Sequence, residues 1–432
     1  MRRITRNTFG LAVVSVISLL AVGSAQGPTT SPVMLDVPGR SDATPWVASS
    51  GSFAAVAWGA TAAGKTDVFL AVSRDGGRTF SAPVQVNSVP GEARLGGELP
   101  PRVALVPRRG ATPEIVVLWT AREDTTQLKT ARSRDGGLTF TPGPTLPPAG
   151  TAGDRGWPSL AVGPGGATHA IWLDHRGLAA DRAAGASHEG HQAGAKHDGA
   201  AMAQKSGLYY AQASGSRPVE REVAKGVCYC CKTTLAVGPT GQVYAAWRHV
   251  YPGNLRDMAF TVSRDGGKSF AAPVRISEDG WVISGCPDDG PAMSVDGQGT
   301  VHVVWPTVVG GDNPEGAIFY SSTQDARQFA PRVRVATLGG RRPAHPQVLA
   351  GPAGTVFVAW DEIVNGDRIA ALREVRLRSD KPPTFGAIVR LSSDGHGSYP
   401  VLALTESGIL AVWTSGTDSS RISTRVLPVR SQ

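Results

Sequence analysis

The stretch Ala54-Ala55-Val56-Ala57-Trp58 is a short apolar strand that ends in tryptophan, and the same pattern recurs along the chain. A second copy, Val301-His302-Val303-Val304-Trp305, has the same length and the same ending. Seven of the ten tryptophans close such a strand: Trp58, Trp119, Trp172, Trp247, Trp305, Trp360 and Trp413. Successive copies lie 53 to 75 residues apart. An internal period of this length is typical of repeat architectures.

Each tryptophan strand belongs to a group of short strands. From the second repeat on, an apolar strand and a Gly-containing turn precede it, and a third strand and usually a fourth follow. Short strands between Gly/Pro turns indicate an all-β protein, and no stretch shows sustained helical periodicity. Four strands per repeat predict a β-propeller of four-stranded antiparallel blades. We count seven blades, with six as the alternative, and expect residues 32–37 to supply the strand that the last repeat, 399–429, lacks.

A second motif marks the turn between the third and fourth strands. It reads Ser73-Arg74-Asp75-Gly76-Gly77-Arg78-Thr79-Phe80 and returns at 133–140 and 263–270, with degenerate copies that end at Phe329 and Phe385. The motif resembles the Asp-box, or bacterial neuraminidase repeat, of the sialidase-like propellers. Asp75, Asp135 and Asp265 are expected to be structural, because carboxylates in tight turns accept bonds from backbone N–H groups.

Residues 1–25 are predicted to be a signal peptide. Arg2, Arg3 and Arg6 precede the apolar run 11–22, and the small residues 23–25 suit cleavage. Residues 26–432 are then one propeller domain, exported to a periplasm or out of the cell, with no stable membrane span after cleavage. Cleavage lowers the formal net charge from +8 to +5. The basic residues are scattered, so we expect neither a nucleic-acid partner nor a nucleotide cofactor.

The four cysteines lie at the starts of two adjacent innermost strands, which should ring the central channel. Three stand in Cys228-Tyr229-Cys230-Cys231 and the fourth is Cys286. A disulfide from Cys286 to one of the first three is plausible, whereas two unstrained disulfides are hard to draw. Thiolates also favour Cu(I) and Zn²⁺, and free or redox-active thiols are the third alternative. His345 and His396 start the next two blades and are candidate ligands, which predicts a soft-metal site with copper favoured over zinc.

A loop rich in Ala, Gly and His, at about 177–206, is expected on the same face. It carries His188, His191 and His197 as a second set of candidate metal ligands, although a flexible insertion with incidental histidines explains it equally.

Polar residues of other loops on this face are candidate ligand-binding groups. They are Arg155, Arg248, His249, Tyr251, Arg256, Asp257 and Asp288. Arginines bind carboxylates through paired hydrogen bonds, although ordinary surface ion pairing accounts for any single one.

Three functions are compatible with these residues. The first is an exported propeller whose Cys/His cluster binds a soft metal or a metal-bearing partner. The second follows from the resemblance, which implies an exo-α-sialidase or a related glycoside hydrolase that acts on small acidic glycans. Such sialidases use three arginines, a tyrosine activated by a glutamate, and an aspartate, but their Arg-Ile-Pro phrase is missing here. The third is a scaffold for an exported protein partner.

Overall fold

The protein is a ring of seven four-stranded antiparallel sheets, described here by a computed structural model. The described residues are 31–147, 151–183, 199–214, 218–283, 285, 287, 289–378, 382–392 and 395–429. The predicted seven-bladed propeller is therefore confirmed and the six-bladed alternative is excluded. The predicted signal peptide lies outside the described residues. No helix in the described part of the chain is long and apolar enough to cross a bilayer.

The strands of each blade run from the channel outward in chain order, except in the last blade. Blade one comprises Ser41–Ser50, Phe53–Ala62, Lys65–Ser73 and Val84–Gln85. Blade two comprises Arg102–Arg108, Ala111–Arg122, Thr126–Ser133 and Thr141–Pro142. Blade three comprises Arg155–Val162, Thr168–Asp174, Gly207–Gln212 and Glu220–Lys225. Blade four comprises Thr234–Val237, Val243–Arg248, Met258–Ser263 and Val274–Arg275. Blade five comprises Ala292–Val295, Val301–Val309, Glu315–Thr323 and Val333–Arg334. Blade six comprises Arg341–Ala350, Thr355–Val364, Asp367–Arg376 and Thr384–Arg390.

The ring closes through a strand from the start of the chain. Blade seven comprises Gly397–Thr405, Gly408–Ser415 and Arg421–Leu427, and its outer strand is Val33–Leu35. Met34 pairs with Ser423 in antiparallel register. The expected contribution of residues 32–37 to the last blade is confirmed.

Helix is confined to a few short segments. The α-helices Arg176–Ala183 and Gly199–Gln204 stand at the two ends of the segment expected to be a His-rich loop, and 3₁₀ turns span Pro252–Asn254 and Pro352–Gly354. Alanine has the highest helix propensity, which accounts for helical ends on an Ala-rich segment. His188, His191 and His197 lie outside the described residues.

Apolar side chains fill each junction between neighbouring blades. All seven tryptophans of the repeat are buried on the second strands. A buried indole N–H needs an acceptor. Trp58 donates to Asp42 at 2.7 Å and Trp360 donates to Glu362 at 2.8 Å.

The turns between third and fourth strands carry the expected hydrogen bonds. The Ser73 hydroxyl accepts the Gly77 N–H at 2.8 Å, and the Asp75 carboxylate accepts the Thr79 N–H at 2.9 Å. Asp135 and Asp265 accept the corresponding bonds in their own turns. Phe80 packs into the junction between blades seven and one. These turns lie on the lower face, so the opposite, upper face holds the loops between second and third strands and the crossings between blades.

Candidate functional site on the upper face

Four innermost strands begin with a distorted backbone at the channel mouth. Their pairing register shifts at the start of blades one, three, six and seven. One non-glycine residue at each shift has a positive φ of about 50°: Thr44, Trp157, His345 and Tyr399. A proline, which has no N–H for the sheet ladder, follows each of the four. Backbone strain of this kind costs about 1–3 kcal/mol per residue and concentrates at functional sites.

The channel mouth contains a buried ion pair that sequence reasoning missed. The Lys232 ammonium lies 2.6 Å from the Glu98 carboxylate, and their side chains are 2% and 4% exposed. Lys232 starts blade four and Glu98 comes from the crossing between blades one and two. Only the curvature of the ring brings them together.

His345 carries a second buried pair. Its Nδ1 donates to Asp361 at 2.7 Å, and Asp361 also accepts the Tyr399 N–H at 2.7 Å. Burial alone would lower the pKa of His345, but Asp361 and the carboxylates of Glu98 and Asp289 raise it to about 9. The imidazole is therefore charged at neutral pH, which makes it a poor metal ligand.

Asp289 lies close to both of these pairs. Burial and the nearby Glu98 carboxylate raise its pKa, and His345 and Lys232 oppose that shift. Its Oδ2 accepts the His345 N–H at 3.2 Å, while Oδ1 has no partner among the described residues. The predicted neighbour Asp288 lies outside the described residues. A cavity lined by Glu98, Lys232 and His345 measures about 10 Å³, which is room for about one water molecule.

Three of the four cysteines form a compact buried group before the inner strand of blade four. The sulfurs of Cys228, Cys230 and Cys231 all lie within 4.8 Å of one another. Cys228 and Cys231 are free thiols 3.2 Å apart, whereas Cys230 is disulfide-bonded. The disulfide partner of Cys230 lies outside the described residues, and Cys286 lies outside them too. The expectation of at least one disulfide is met. Cys228 and Cys231 are then the two free thiols of the group.

Arg256 contacts the sulfur group directly. Its Nη1 donates to the Cys228 sulfur at 3.2 Å, and its Nη2 has no partner in the described part of the chain although the side chain is fully buried. The Cys231 hydrogen bond lowers the pKa of Cys228 against the effect of burial, and Arg256 and Arg248 add to the lowering. Burial and the same hydrogen bond raise the pKa of Cys231. Cys228 is therefore the thiolate of the pair.

The structure does not bring the predicted histidines to the sulfurs. Within the described residues, only the three cysteines form a group that can hold a metal. His345 is held by Asp361, and the half-buried His396 belongs to no such group. The described residues contain a buried three-cysteine group that could hold a metal, without His345 or His396 in it, and Cys286 lies outside the described residues.

Two of the predicted ligand-binding arginines are occupied by the protein itself. Arg155 bonds Asp174 at 3.2 Å and backbone carbonyls, and Arg248 bonds the carbonyls of Asp289, Arg256 and Pro306. Both side chains are buried. A buried guanidinium needs such acceptors, and every nitrogen of these two side chains has one within the protein.

His249, Tyr251 and Asp257 form a separate cluster beside blade four. The His249 and Tyr251 rings lie 4.5 Å apart, and Arg275 stacks on Tyr251 at 4.0 Å. Burial lowers the pKa of His249 to about 4, and burial with nearby Asp279 raises the pKa of Asp257. His249 is therefore neutral above pH 5.

A polar pocket of about 280 Å³ opens on blade three, and the sequence analysis did not single it out. The Tyr209 hydroxyl donates to Glu222 at 2.9 Å on its wall, and Lys205 and Lys225 also line it. Arg176 stacks on Tyr209 at 4.1 Å and is held by the carboxylates of Asp174 and Glu220. Burial, then the Glu222 hydrogen bond, raises the pKa of Tyr209 to about 12. The sequence signal for this pocket was the outer strand Glu220–Lys225, on which Glu220 and Glu222 lie two residues apart and so share one face.

Several solved structures are similar to this protein over most of its length. The polysaccharide lyase Uly1 aligns at a TM-score of 0.51 with 9% identity, over 94% of each chain. This likeness concerns the fold alone. A Penicillium chrysogenum α-L-arabinanase covers 93% of this chain and 98% of its own at 13% identity and a TM-score of 0.49. The Hadza microbial sialidase Hz136 covers 85% of this chain and 74% of its own at 14% identity and a TM-score of 0.47. No protein-family model and no curated protein matches the sequence.

Proposed function

We propose that the protein is an exported propeller that binds and hydrolyses a small acidic glycan in the blade-three pocket. The observation that carries this proposal is the Tyr209–Glu222 hydrogen bond of 2.9 Å on the pocket wall. Tyrosine activated by glutamate is the nucleophile that the sialidase-like resemblance implies. The pocket volume, about 280 Å³, is near the lower end of typical small-ligand sites.

The charges around the pocket suit this chemistry. Lys205 and Lys225 line the pocket and attract a substrate carboxylate. The raised pKa keeps Tyr209 neutral before reaction, so it does not repel that carboxylate. In the proposed step, Tyr209 Oη attacks the anomeric carbon while Glu222 takes the hydroxyl proton. The glycosidic bond breaks and its oxygen takes a proton from water. The hydroxide so formed then displaces Tyr209 from the sugar, and Glu222 returns its proton to Tyr209 Oη.

Arg176 has a positioning role in this proposal. Its two carboxylate partners fix the guanidinium, and the guanidinium stacks on the Tyr209 ring. The Arg176 side chain thereby holds the phenol against Glu222, and its positive charge is neutralised by Asp174 and Glu220.

The test is hydrolysis of 4-methylumbelliferyl glycosides of sialic acid and glucuronic acid. Tyr209→Phe should lower kcat by about 100-fold or more, because phenylalanine has no oxygen to attack the anomeric carbon. Tyr251→Phe is the matched control, because it removes a half-buried tyrosine hydroxyl from another cluster on the same face. Equal losses in both variants, or an inactive wild-type protein, would overturn the proposal.

The sulfur group supports a second candidate function, soft-metal binding. The supporting observation is the set of three buried cysteine sulfurs within 4.8 Å of one another. Thiolates select Cu(I), and a structural Zn²⁺ site wants a fourth ligand that the described residues do not provide. Copper is therefore favoured over zinc.

Elemental analysis of protein purified without chelator tests this second function. Cys228→Ser/Cys231→Ser should lose the metal, while His345→Gln should keep it because His345 is bound to Asp361. Metal retention in the double cysteine variant would exclude the sulfur group as the site.

A further inference from the structure

Cys230 lies in the sulfur group, but unlike Cys228 and Cys231 it is not a free thiol. Its sulfur lies within 4.8 Å of the sulfurs of Cys228 and Cys231, yet it is bound in a disulfide. Metal ligation requires a thiolate, and a sulfur that is committed to a disulfide is not one. The group therefore offers two sulfur ligands in the oxidised state and three after reduction.

Two buried arginines lie beside the group. Arg256 donates to the Cys228 sulfur at 3.2 Å, and Arg248 donates to the carbonyl of Arg256. The Arg248 donors are bound to backbone carbonyls, which are uncharged.

Arg256 has donor capacity left over. Nε bonds Asn254 at 3.1 Å and Nη1 bonds the Cys228 sulfur, but no described residue accepts from Nη2. A buried, unsatisfied donor of a charged group is costly unless an anion comes to it. Further thiolates at this position would be stabilised by a cation that is already in place.

We infer that the Cys230 disulfide gates a soft-metal site, and that its reduction converts a two-sulfur group into a three-thiolate site for Cu(I). This inference rests on the second function proposed above. A low-molecular-weight thiol is the reductant: two RSH molecules become RSSR, and each cysteine sulfur of the disulfide gains one electron and one proton. Those protons and the remaining thiol protons pass to solvent when the thiolates bind the metal.

The experiment compares Cu(I) affinity in the two redox states of the mature chain. Metal-free protein is treated anaerobically with or without dithiothreitol, desalted, and titrated with Cu(I) against bicinchoninate. A thiol count establishes each state, and circular dichroism confirms that the propeller stays folded. We expect the reduced form to bind Cu(I) at least about tenfold more tightly than the oxidised form.

Cys230→Ser/Cys286→Ser is the matched variant. It lacks the disulfide and keeps only the Cys228 and Cys231 thiols, so its Cu(I) affinity should stay at the level of the oxidised wild-type protein. Equal affinity of the two wild-type redox states would overturn the gating inference and leave the metal site standing. Absence of Cu(I) binding in both states would overturn the metal site itself.

Discussion

His345→Gln should remove a pH-dependent part of the stability of the ring. The folded protein holds the His345 proton with a pKa of about 9, against an ordinary value of 6.5. That difference corresponds to about 3 kcal/mol of stability, because one pKa unit is worth about 1.4 kcal/mol. Since the folded pKa is the raised one, the contribution is complete below about pH 6.5. It is lost progressively as the pH rises through 9.

Urea denaturation at pH 6.0, 7.5 and 9.5 measures this contribution. The difference in unfolding free energy between wild type and His345→Gln should shrink by about 3 kcal/mol across the series. His302→Gln is the control, because burial lowers the pKa of His302, which is the opposite direction to the shift of His345. Its cost should therefore not fall as the pH rises from 6.0 to 9.5. A wild-type minus His345→Gln difference that is constant from pH 6.0 to 9.5 would refute the charged Asp361–His345 pair.

Two further predictions concern packing and the buried ion pair. Lys232→Met should destabilise the protein by about 3–5 kcal/mol, because it leaves the buried Glu98 carboxylate without its positive partner. Lys232→Met/Glu98→Leu should recover most of that stability in urea denaturation. A double variant as unstable as the single one would contradict the ion-pair explanation. Gly77→Ala should cost about 1–3 kcal/mol, because its φ is +94° and a Cβ would lie 2.8 Å from Leu410 of blade seven. Gly297→Ala, with open space and no positive φ, is the control and should leave the melting temperature nearly unchanged.

The architecture was readable from the sequence because its signals are local and repeated. The tryptophan strands gave the blade count, and the Ser73–Phe80 turn gave the orientation of the ring. The closing strand was also predictable, since the last repeat lacked one strand and residues 32–37 had no other place. Each of these inferences uses residues that are close in sequence.

The candidate site was less predictable because its contacts join different blades. Glu98 and Lys232 are far apart in sequence, and no local pattern pairs them. The sequence predicts Arg155, Arg248 and Arg256 as ligand-binding groups, but in the structure they donate to carbonyls, to Asp174 and to the Cys228 sulfur. A loop arginine looks the same in a sequence whether it serves a ligand or the protein.

One usable signal was overlooked. A residue followed by proline starts four innermost strands, at Thr44, Trp157, His345 and Tyr399. Aligning the repeats on that dipeptide places Lys232 at the same position in blade four, and so marks the ring of side chains at the channel mouth. For Tyr209 and Glu222 the sequence offered only a weak signal, the spacing of two residues between Glu220 and Glu222 on the outer strand.

The strand that closes the ring sets an order of events during synthesis. Val33 leaves the ribosome early, yet it bonds Thr424, 391 residues later in the chain. Until that late partner arrives, the strand Val33–Leu35 presents unpaired backbone groups, which are prone to pair with other chains. A circular permutant that opens the ring between two other blades would make blade seven continuous in sequence. It should therefore aggregate less while it folds, even though its folded contacts are the same.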